Sequence, residues 1–152
     1  MSDVTSATAE DVPPLLLGTW KLVSSTRVDM PSGKRSDMMG SHPLAFINYC
    51  RDGRMMFLQA GEDRKKPAGA QVTDAEAAAL YRTFLGYAGT YTIKGDTITH
   101  HVDLSWNETW TGSDQVRQFK FDGNRVTLST ALSPDPVHGV MSIRELVWQK
   151  VE

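Results

Sequence analysis

Two adjacent histidines raise the question of chemistry in this chain. His100 and His101 stand in the stretch THHVD, with Asp103 two places further on, and they are half of the four histidines in the sequence. Imidazole and carboxylate groups at this spacing could form a metal site, or a general base with a helper group. A strand that carries its two imidazoles on opposite faces is the third interpretation.

The turn before the histidines favours the third interpretation. Gly95-Asp96 suits a two-residue type II′ hairpin turn, which would place Tyr91 opposite His100. Tyr91 and His100 would then point inward, and His101 and Asp103 outward. Because neighbours on a strand face opposite ways, the two histidines cannot share one metal ion unless a bulge intervenes. We therefore expect neither a metal site nor a cofactor.

Arg117 is the most unusual inward residue. The hairpin at Gly123-Asn124 fixes its register and turns it to the same face as Phe119. A guanidinium cannot shed its proton, so inside a fold it needs an acceptor. A ligand carboxylate, enolate or phenolate would serve. The structural partners open to it are Tyr91, Gln115, Glu108, Asp114 and backbone carbonyls.

The elements that must position these side chains are strands. Eight segments alternate between apolar and polar residues, and three tight turns that contain glycine join neighbouring segments. One helix interrupts them, from a capping box at Thr73 and Glu76 to Gly86 or Gly89. Its apolar stripe would lie against the sheet. The predicted strands are 19–28, 44–50, 54–60, 89–94, 97–104, 115–122, 125–131 and 140–151, and the stripe is Ala77, Leu80, Phe84 and Leu85.

The lengths of the connections predict how the sheet closes. If the strands alternate in direction, the three tight turns fall at one end and the four long connections at the other. Closure into a barrel removes the exposed edges of such a sheet. We therefore predict an all-β fold, an eight-stranded antiparallel up-and-down barrel with one inserted helix near the mouth. Residues 1–14 are predicted to be a flexible lead-in by composition, and residues 15–152 the barrel domain.

Composition excludes several classes of function. The net charge is −2 and the basic residues 64–66 form the only positive cluster, which argues against binding to nucleic acid. No apolar run is long enough for a signal peptide or a membrane span, so we expect no membrane partner. The single cysteine, Cys50, fits a cytoplasmic protein. The sequence leaves a homodimer open.

Longer motifs carry a resemblance to a known family. GTWKLVS contains a Gly-x-Trp tripeptide, and YCRDGRM, YAGTYTIKGDTITHHVDLSWNETWTGSDQVRQF and LVWQKV follow it. Together they make residues 16–151 similar to the bacterial and fungal lipocalin-like domain family, which belongs to the calycin barrels. The resemblance implies that Trp20 closes the barrel floor under a late basic residue, Lys150 or alternatively Arg144.

Two functions follow from this resemblance and from the inward residues. The first is binding of a small, largely apolar molecule, with a carboxylate or phenolic end held by Arg117, Gln115 and His100. The alternative is a cofactor-independent isomerase, cyclase or lyase, with His100 as acid or base, Tyr91 or Tyr49 as its helper and Arg117 stabilising negative charge. A filled barrel that serves as an interaction module is a third hypothesis. The candidate ligand contacts are Tyr49, Phe57, Gln59, Tyr91, His100, Trp106, Trp110, Gln115, Arg117 and Phe119.

Overall fold

The computed structural model describes residues 13–135 and 138–151. The lead-in predicted for residues 1–14 lies outside these ranges, apart from its last two residues. The strands are β1 (Gly18–Asp29), β2 (Arg35–Asp37), β3 (Leu44–Tyr49), β4 (Arg54–Ala60), β5 (Phe84–Lys94), β6 (Thr97–Ser105), β7 (Asp114–Asp122), β8 (Arg125–Ser129), β9 (Ser133–Pro134) and β10 (Met141–Lys150). The helix α1 is Asp74–Arg82, and Glu108–Trp110 forms one 3₁₀ turn.

The sheet closes on itself as predicted. Every strand pairs antiparallel with its neighbours, and β1 pairs both with β3 and with the last long strand, β10. Eight strands make the barrel wall: β1, β3 to β8, and β10. Two short strands that the sequence did not predict, β2 and β9, extend β1 and β10 at the end that carries the long connections. The predicted eight-stranded antiparallel barrel with one helix is confirmed.

The turn residues set the register of the hairpins. Tyr91 lies opposite His100 in the β5–β6 hairpin, and Ile47 lies opposite Phe57 in the β3–β4 hairpin. Both pairings are those that the turns predicted. Since side chains alternate along a strand, a correct register also decides which residues face the interior.

The helix is shorter than predicted. It begins with the predicted capping box of Thr73 and Glu76 but ends at Arg82, and β5 starts two residues later. Phe84 and Leu85 therefore belong to a strand, because their backbone pairs with β4. No residue of α1 is fully buried. Of the predicted apolar stripe, Phe84 and Leu85 belong to β5, Ala77 is exposed on the helix and Leu80 is half-buried there.

The floor of the barrel is built on Trp20. Its side chain is fully buried, and its indole Nε1 donates to the Leu16 carbonyl at 2.9 Å. The Lys150 ammonium lies 4.8 Å from the centre of the indole ring and donates to the carbonyls of Leu15 and Leu17. Cation and ring thus close the end of the barrel that carries the tight turns, and Lys150 is the covering residue that the resemblance implied.

A glycine in β5 permits a close approach of two strands. The pairing of β5 with β6 shifts between Ala88 and Gly89, and a Cβ on Gly89 would lie 1.9 Å from the His101 carbonyl oxygen.

We expect Gly89→Ala to lower the free energy of unfolding by about 1–3 kcal/mol, because the backbone must move to admit the methyl group. Urea unfolding measures the loss. Gly69→Ala, where a Cβ meets nothing within 4 Å, is the matched control, and an equal effect in both would contradict the account.

Candidate functional site

A cavity opens inside the barrel and reaches toward the end with the long connections. The cavity volume is about 50 Å³, well below the roughly 300 Å³ or more of an ordinary small-molecule pocket. It is narrow, so a ring-sized ligand requires lining side chains to move apart. Five predicted contacts line it: Phe57, Gln59, His100, Trp110 and Arg117. The lining residues that sequence reasoning did not propose as contacts are Met38, Ile47, Leu85, Tyr87, Leu128, Thr130, Arg144, Leu146 and Trp148.

The other five predicted contacts do not line this cavity. Tyr91 is fully buried, and its hydroxyl donates to the Cys50 carbonyl at 2.7 Å. The Gln115 amide donates to the Ser113 hydroxyl, and Phe119 packs edge-on against Phe121 at the partly buried margin of the core. Two predicted contacts remain. The Tyr49 hydroxyl bonds His100, and Trp106 packs against Trp110, so each is separated from the cavity by a residue that lines it. The structure therefore brings together one half of the predicted set.

His100 is held between two tyrosines. Its Nε2 lies 2.7 Å from the Tyr49 hydroxyl, and its Nδ1 lies 2.7 Å from the Tyr87 hydroxyl. A neutral imidazole has one donor and one acceptor nitrogen. One tyrosine must therefore donate to the ring, while the ring donates to the other, which keeps its own hydroxyl hydrogen for a further acceptor. Because both nitrogens are engaged, a proton could pass between His100 and a ligand only through a tyrosine hydroxyl.

Burial keeps His100 neutral. The side chain is 1% exposed, and desolvation holds the pKa of the imidazole well below its ordinary value, with a further lowering from the positive charge of Arg117. Burial likewise raises the pKa of the Tyr49 and Tyr87 hydroxyls. The three groups therefore form an uncharged hydrogen-bonded chain at neutral pH.

This neutral histidine predicts a pH dependence of stability. The folded state disfavours the proton, so the stability that neutral His100 contributes is complete above its ordinary pKa of 6.5 and is lost as the pH falls toward the depressed value. The loss should approach about 1.4 kcal/mol per pH unit in that range. Urea unfolding near pH 7.5 and near pH 5.5 measures it. His100→Gln should lose less stability over the same interval, and equal losses in the two proteins would refute the assignment.

Arg117 lies half-buried on the cavity wall. Its guanidinium Nη1 donates to the Val116 carbonyl at 3.0 Å. In the described part of the chain no carboxylate lies within 4.0 Å of it. Two acids that the sequence offered as partners are engaged elsewhere: Asp114 pairs with His101, and Glu108 accepts from Thr111. The cation is left facing a cavity that supplies no counter-charge.

A second arginine lies beside the same cavity. Arg144 is 5% exposed and donates to the Ser133 carbonyl and hydroxyl and to the Ser142 hydroxyl. Burial, with a smaller contribution from the charge of Arg117, lowers the pKa of Arg144 to about 10, and Asp135 acts in the opposite direction. The guanidinium stays charged at neutral pH, so two cations share the wall.

Two further polar groups on the wall lack a partner. The Gln59 amide nitrogen and the Trp148 indole nitrogen are buried, and neither has a hydrogen-bond partner within the described residues. Both side chains are almost completely buried, at 2% and 1% exposure. An unmade hydrogen bond from a buried donor costs about 1–3 kcal/mol. Two residues that line the cavity therefore carry a buried donor without a partner among the described residues.

The two loop tryptophans take different places. Trp110 lines the cavity and packs 5.6 Å from the Tyr87 ring. Trp106 packs edge-on against Trp110 at 5.4 Å and lies on the outer side, near Tyr81 of the helix. Trp110 can therefore contact a molecule inside the barrel, whereas Trp106 supports it from outside.

The outward residues of the THHVD stretch contact charged side chains on other strands of the sheet. His101 Nδ1 lies 2.8 Å from the Asp114 carboxylate, and Asp103 pairs with Arg54 at 2.6 Å. His100 faces the interior, so the alternation predicted from the turn holds. Among the described residues, no group of three or more histidine, cysteine or acidic side chains could hold a metal ion, and no helix is long and apolar enough to cross a membrane.

Three residues of the cavity wall that were not predicted can be recognised by their position in the period-two pattern of their strands. Tyr87 precedes Tyr91 by four places on the same face of β5, but the predicted helix covered it. Arg144 and Trp148 alternate inward on β10 with Leu146, a face recognised only as a match for the floor. Extending the period-two pattern of each strand to its full length would have found all three.

The sequence is similar to a protein family and to a carrier protein. A family model described as a lipocalin-like domain matches residues 17–151. The chain is 30% identical over 87 residues to the 4'-hydroxy-3'-methoxypropiophenone carrier protein ppsC of Aspergillus oryzae, which covers 52% of this chain and 78% of that relative.

Solved structures resemble the whole barrel at low identity. A lipocalin-like protein from Bacteroides uniformis shares 13% identity at a TM-score of 0.47, covering 90% of this chain and 99% of its own. An uncharacterized protein from Bacteroides eggerthii shares 15% identity at a TM-score of 0.42, again covering 90% and 99%. The family match over residues 17–151 spans every strand of the barrel wall.

Proposed function

The chain belongs to the lipocalin-like domain family, and from that premise we propose that its barrel binds a small, largely apolar molecule that has an oxygen-bearing polar end. One observation carries the proposal: the interior cavity is walled by apolar and aromatic side chains but contains Arg117, a cation with no carboxylate partner among the described residues. Ligand pockets commonly combine such walls with a few placed polar groups.

The separation of apolar and charged residues on the cavity wall supports an orientation for the ligand. Phe57, Leu128 and Trp148 give the cavity wall an apolar surface, and Arg117 and Arg144 supply charge at other points of the wall. We propose that the apolar body of the ligand packs among the first group and that a carboxylate or phenolic end faces the arginines. The relative named as a carrier of a hydroxyphenyl ketone is consistent with an aromatic ligand of this kind.

Calorimetric titration with 4'-hydroxy-3'-methoxypropiophenone tests the proposal. We expect one molecule to bind per chain. Leu146→Trp, which adds bulk to a half-buried lining residue, should abolish binding by filling the cavity. Val72→Trp, on a side chain that is 47% exposed and outside the cavity, is the matched control and should bind as the wild type does. Equal binding by both variants would place the ligand outside the barrel.

A second candidate function, a cofactor-free isomerase, cyclase or lyase, is favoured by the hydrogen-bonded chain of Tyr87, His100 and Tyr49. Since both nitrogens of His100 are occupied, Tyr87 would be the group that exchanges a proton with the substrate, and Arg117 would stabilise the developing negative charge. Turnover that persists in Tyr87→Phe at the wild-type rate would exclude this route.

The outer face of the barrel supports a homodimer. Met56, Leu58 and Leu104 are each more than half exposed and flank a shallow groove over Gly86 and Ala88. The residues that line this groove carry no charge. Because the exposed apolar side chains and the groove lie on the same face, this face could pack against the same face of a second copy in a twofold arrangement. Sedimentation velocity should give a dimer for the wild type and a monomer for Leu58→Lys. A wild-type monomer at high concentration would contradict this assembly.

A further inference from the structure

The cavity wall presents positive charge and hydrogen-bond donors together. Arg117 and Arg144 both line it, and the described residues place no carboxylate within 4.0 Å of the Arg117 guanidinium. On two other lining residues, the Gln59 amide nitrogen and the Trp148 indole nitrogen have no hydrogen-bond partner among the residues that the structure describes. Each of these groups is satisfied by an acceptor, and an anion satisfies the cations as well.

We propose that an acidic ligand, such as a phenol or an enol, is bound in this barrel as its anion, so that binding releases the acidic proton to solvent. The inference rests on the proposed function, since it concerns the ionisation of a molecule in the same cavity. It adds that the barrel selects one protonation state of its ligand, which neither the family nor the fold determines.

The titratable groups around the cavity support an anion rather than oppose it. His100 is neutral, and Tyr49 and Tyr87 are protonated because burial raises the pKa of each, so none repels a negative charge. The positive charge of Arg117 opposes part of the rise in the pKa of both tyrosines and contributes to the lowered pKa of Arg144, as expected for a cation near all three. Asp135 is the nearby carboxylate, and it pairs with Arg27 at 3.3 Å.

The size of the effect follows from the charge. A cation within about 4–6 Å of an acid typically lowers the pKa of that acid by about 1–3 units. A lowering of about two units, the middle of this range, would leave a phenol in the cavity about nine-tenths ionised at a pH about one unit below its pKa in water. A filled or neutral pocket would instead leave the phenol protonated, because burial alone disfavours the charged form.

A coloured phenol tests the inference directly. The probe is 4-nitrophenol, which turns yellow on ionisation, and 4-nitroanisole is a neutral twin that has no acidic proton. Both are mixed with excess protein at a pH about one unit below the pKa of the free phenol. The spectrum of bound 4-nitrophenol should be that of the phenolate. Arg117→Gln should return it to the neutral form, whereas Arg51→Gln, at an exposed turn, should leave it yellow.

The outcomes separate the two proposals. If both probes bind and 4-nitrophenol stays colourless, the anion inference is overturned and the binding function stands. If neither probe binds, the binding function fails and the inference falls with it. Should Arg117→Gln fail to fold, the wild-type spectrum against the 4-nitroanisole control still decides the ionisation state of the bound phenol.

Discussion

Replacement of Arg117 by methionine is expected to weaken the binding of an anionic ligand by about 10- to 100-fold. Methionine keeps an unbranched apolar stem but removes the guanidinium, and a hydrogen bond to a charged group contributes about 1.5–3 kcal/mol. Arg117 has the Val116 carbonyl as its hydrogen-bond acceptor, so the folded protein loses little when the charge is removed. Calorimetric titration with 4-nitrophenolate above its pKa measures the change.

The neutral twin supplies the control. Binding of 4-nitroanisole should change by less than about threefold in Arg117→Met, since an ether carries no charge for the arginine to pair with. If the variant binds both probes as tightly as the wild type, Arg117 does not hold the polar end of the ligand. If it loses both equally, the substitution has altered the shape of the cavity instead.

Replacement of Trp20 by alanine is expected to lower the free energy of unfolding by about 3–5 kcal/mol. The side chain is fully buried, donates to the Leu16 carbonyl and lies under the Lys150 ammonium. Its loss would leave a cavity at the barrel floor and a cation over empty space. Urea unfolding monitored by circular dichroism measures the loss, and a drop below about 1 kcal/mol would contradict the role of Trp20 as the floor.

Trp106 provides a matched comparison for Trp20. It is half-buried on the outer side of the barrel, where it contacts Trp110 and Tyr81. We expect Trp106→Ala to cost clearly less stability than Trp20→Ala, because a side chain near the surface leaves no closed cavity. An equal loss in both would mean that the barrel depends on its rim as much as on its floor.

The fold could be predicted because strand alternation and turn chemistry are local signals. Gly95-Asp96 sets the β5–β6 register without help from distant residues, and that register alone places His100 inside and His101 outside. The floor also followed from a short motif, since Trp20 and Lys150 meet as the Gly-x-Trp resemblance implied.

The helix boundary and half of the site could not be predicted in the same way. The residues from Tyr81 to Gly89 suit a helix by period, yet pairing with β4 makes Phe84 and Leu85 strand. Pairing is a tertiary contact, and it overrides a local preference. The same error hid Tyr87, which is the group that reaches His100 from the cavity wall.

Alternation also cannot show how deep a side chain lies or which neighbour it meets. Tyr91 and Tyr87 share one face of β5, but Tyr91 lies lower and bonds the Cys50 carbonyl instead of His100. Gln115 and Arg117 share a face of β7, and only Arg117 lines the cavity. Depth depends on strand tilt and on the loops that cover the mouth, which a period-two pattern does not record.

The proposed binding function and the alternative enzymatic function differ in whether the bound molecule leaves the barrel unchanged. The most direct measurement is to incubate the purified protein with a small-molecule extract of its host and to count every compound by mass spectrometry. For a binding protein we expect one compound to be retained near one equivalent per chain, with no loss from the extract beyond that amount. Loss of a compound far beyond one equivalent, with a new product appearing, would contradict the proposed binding function and make the protein an enzyme.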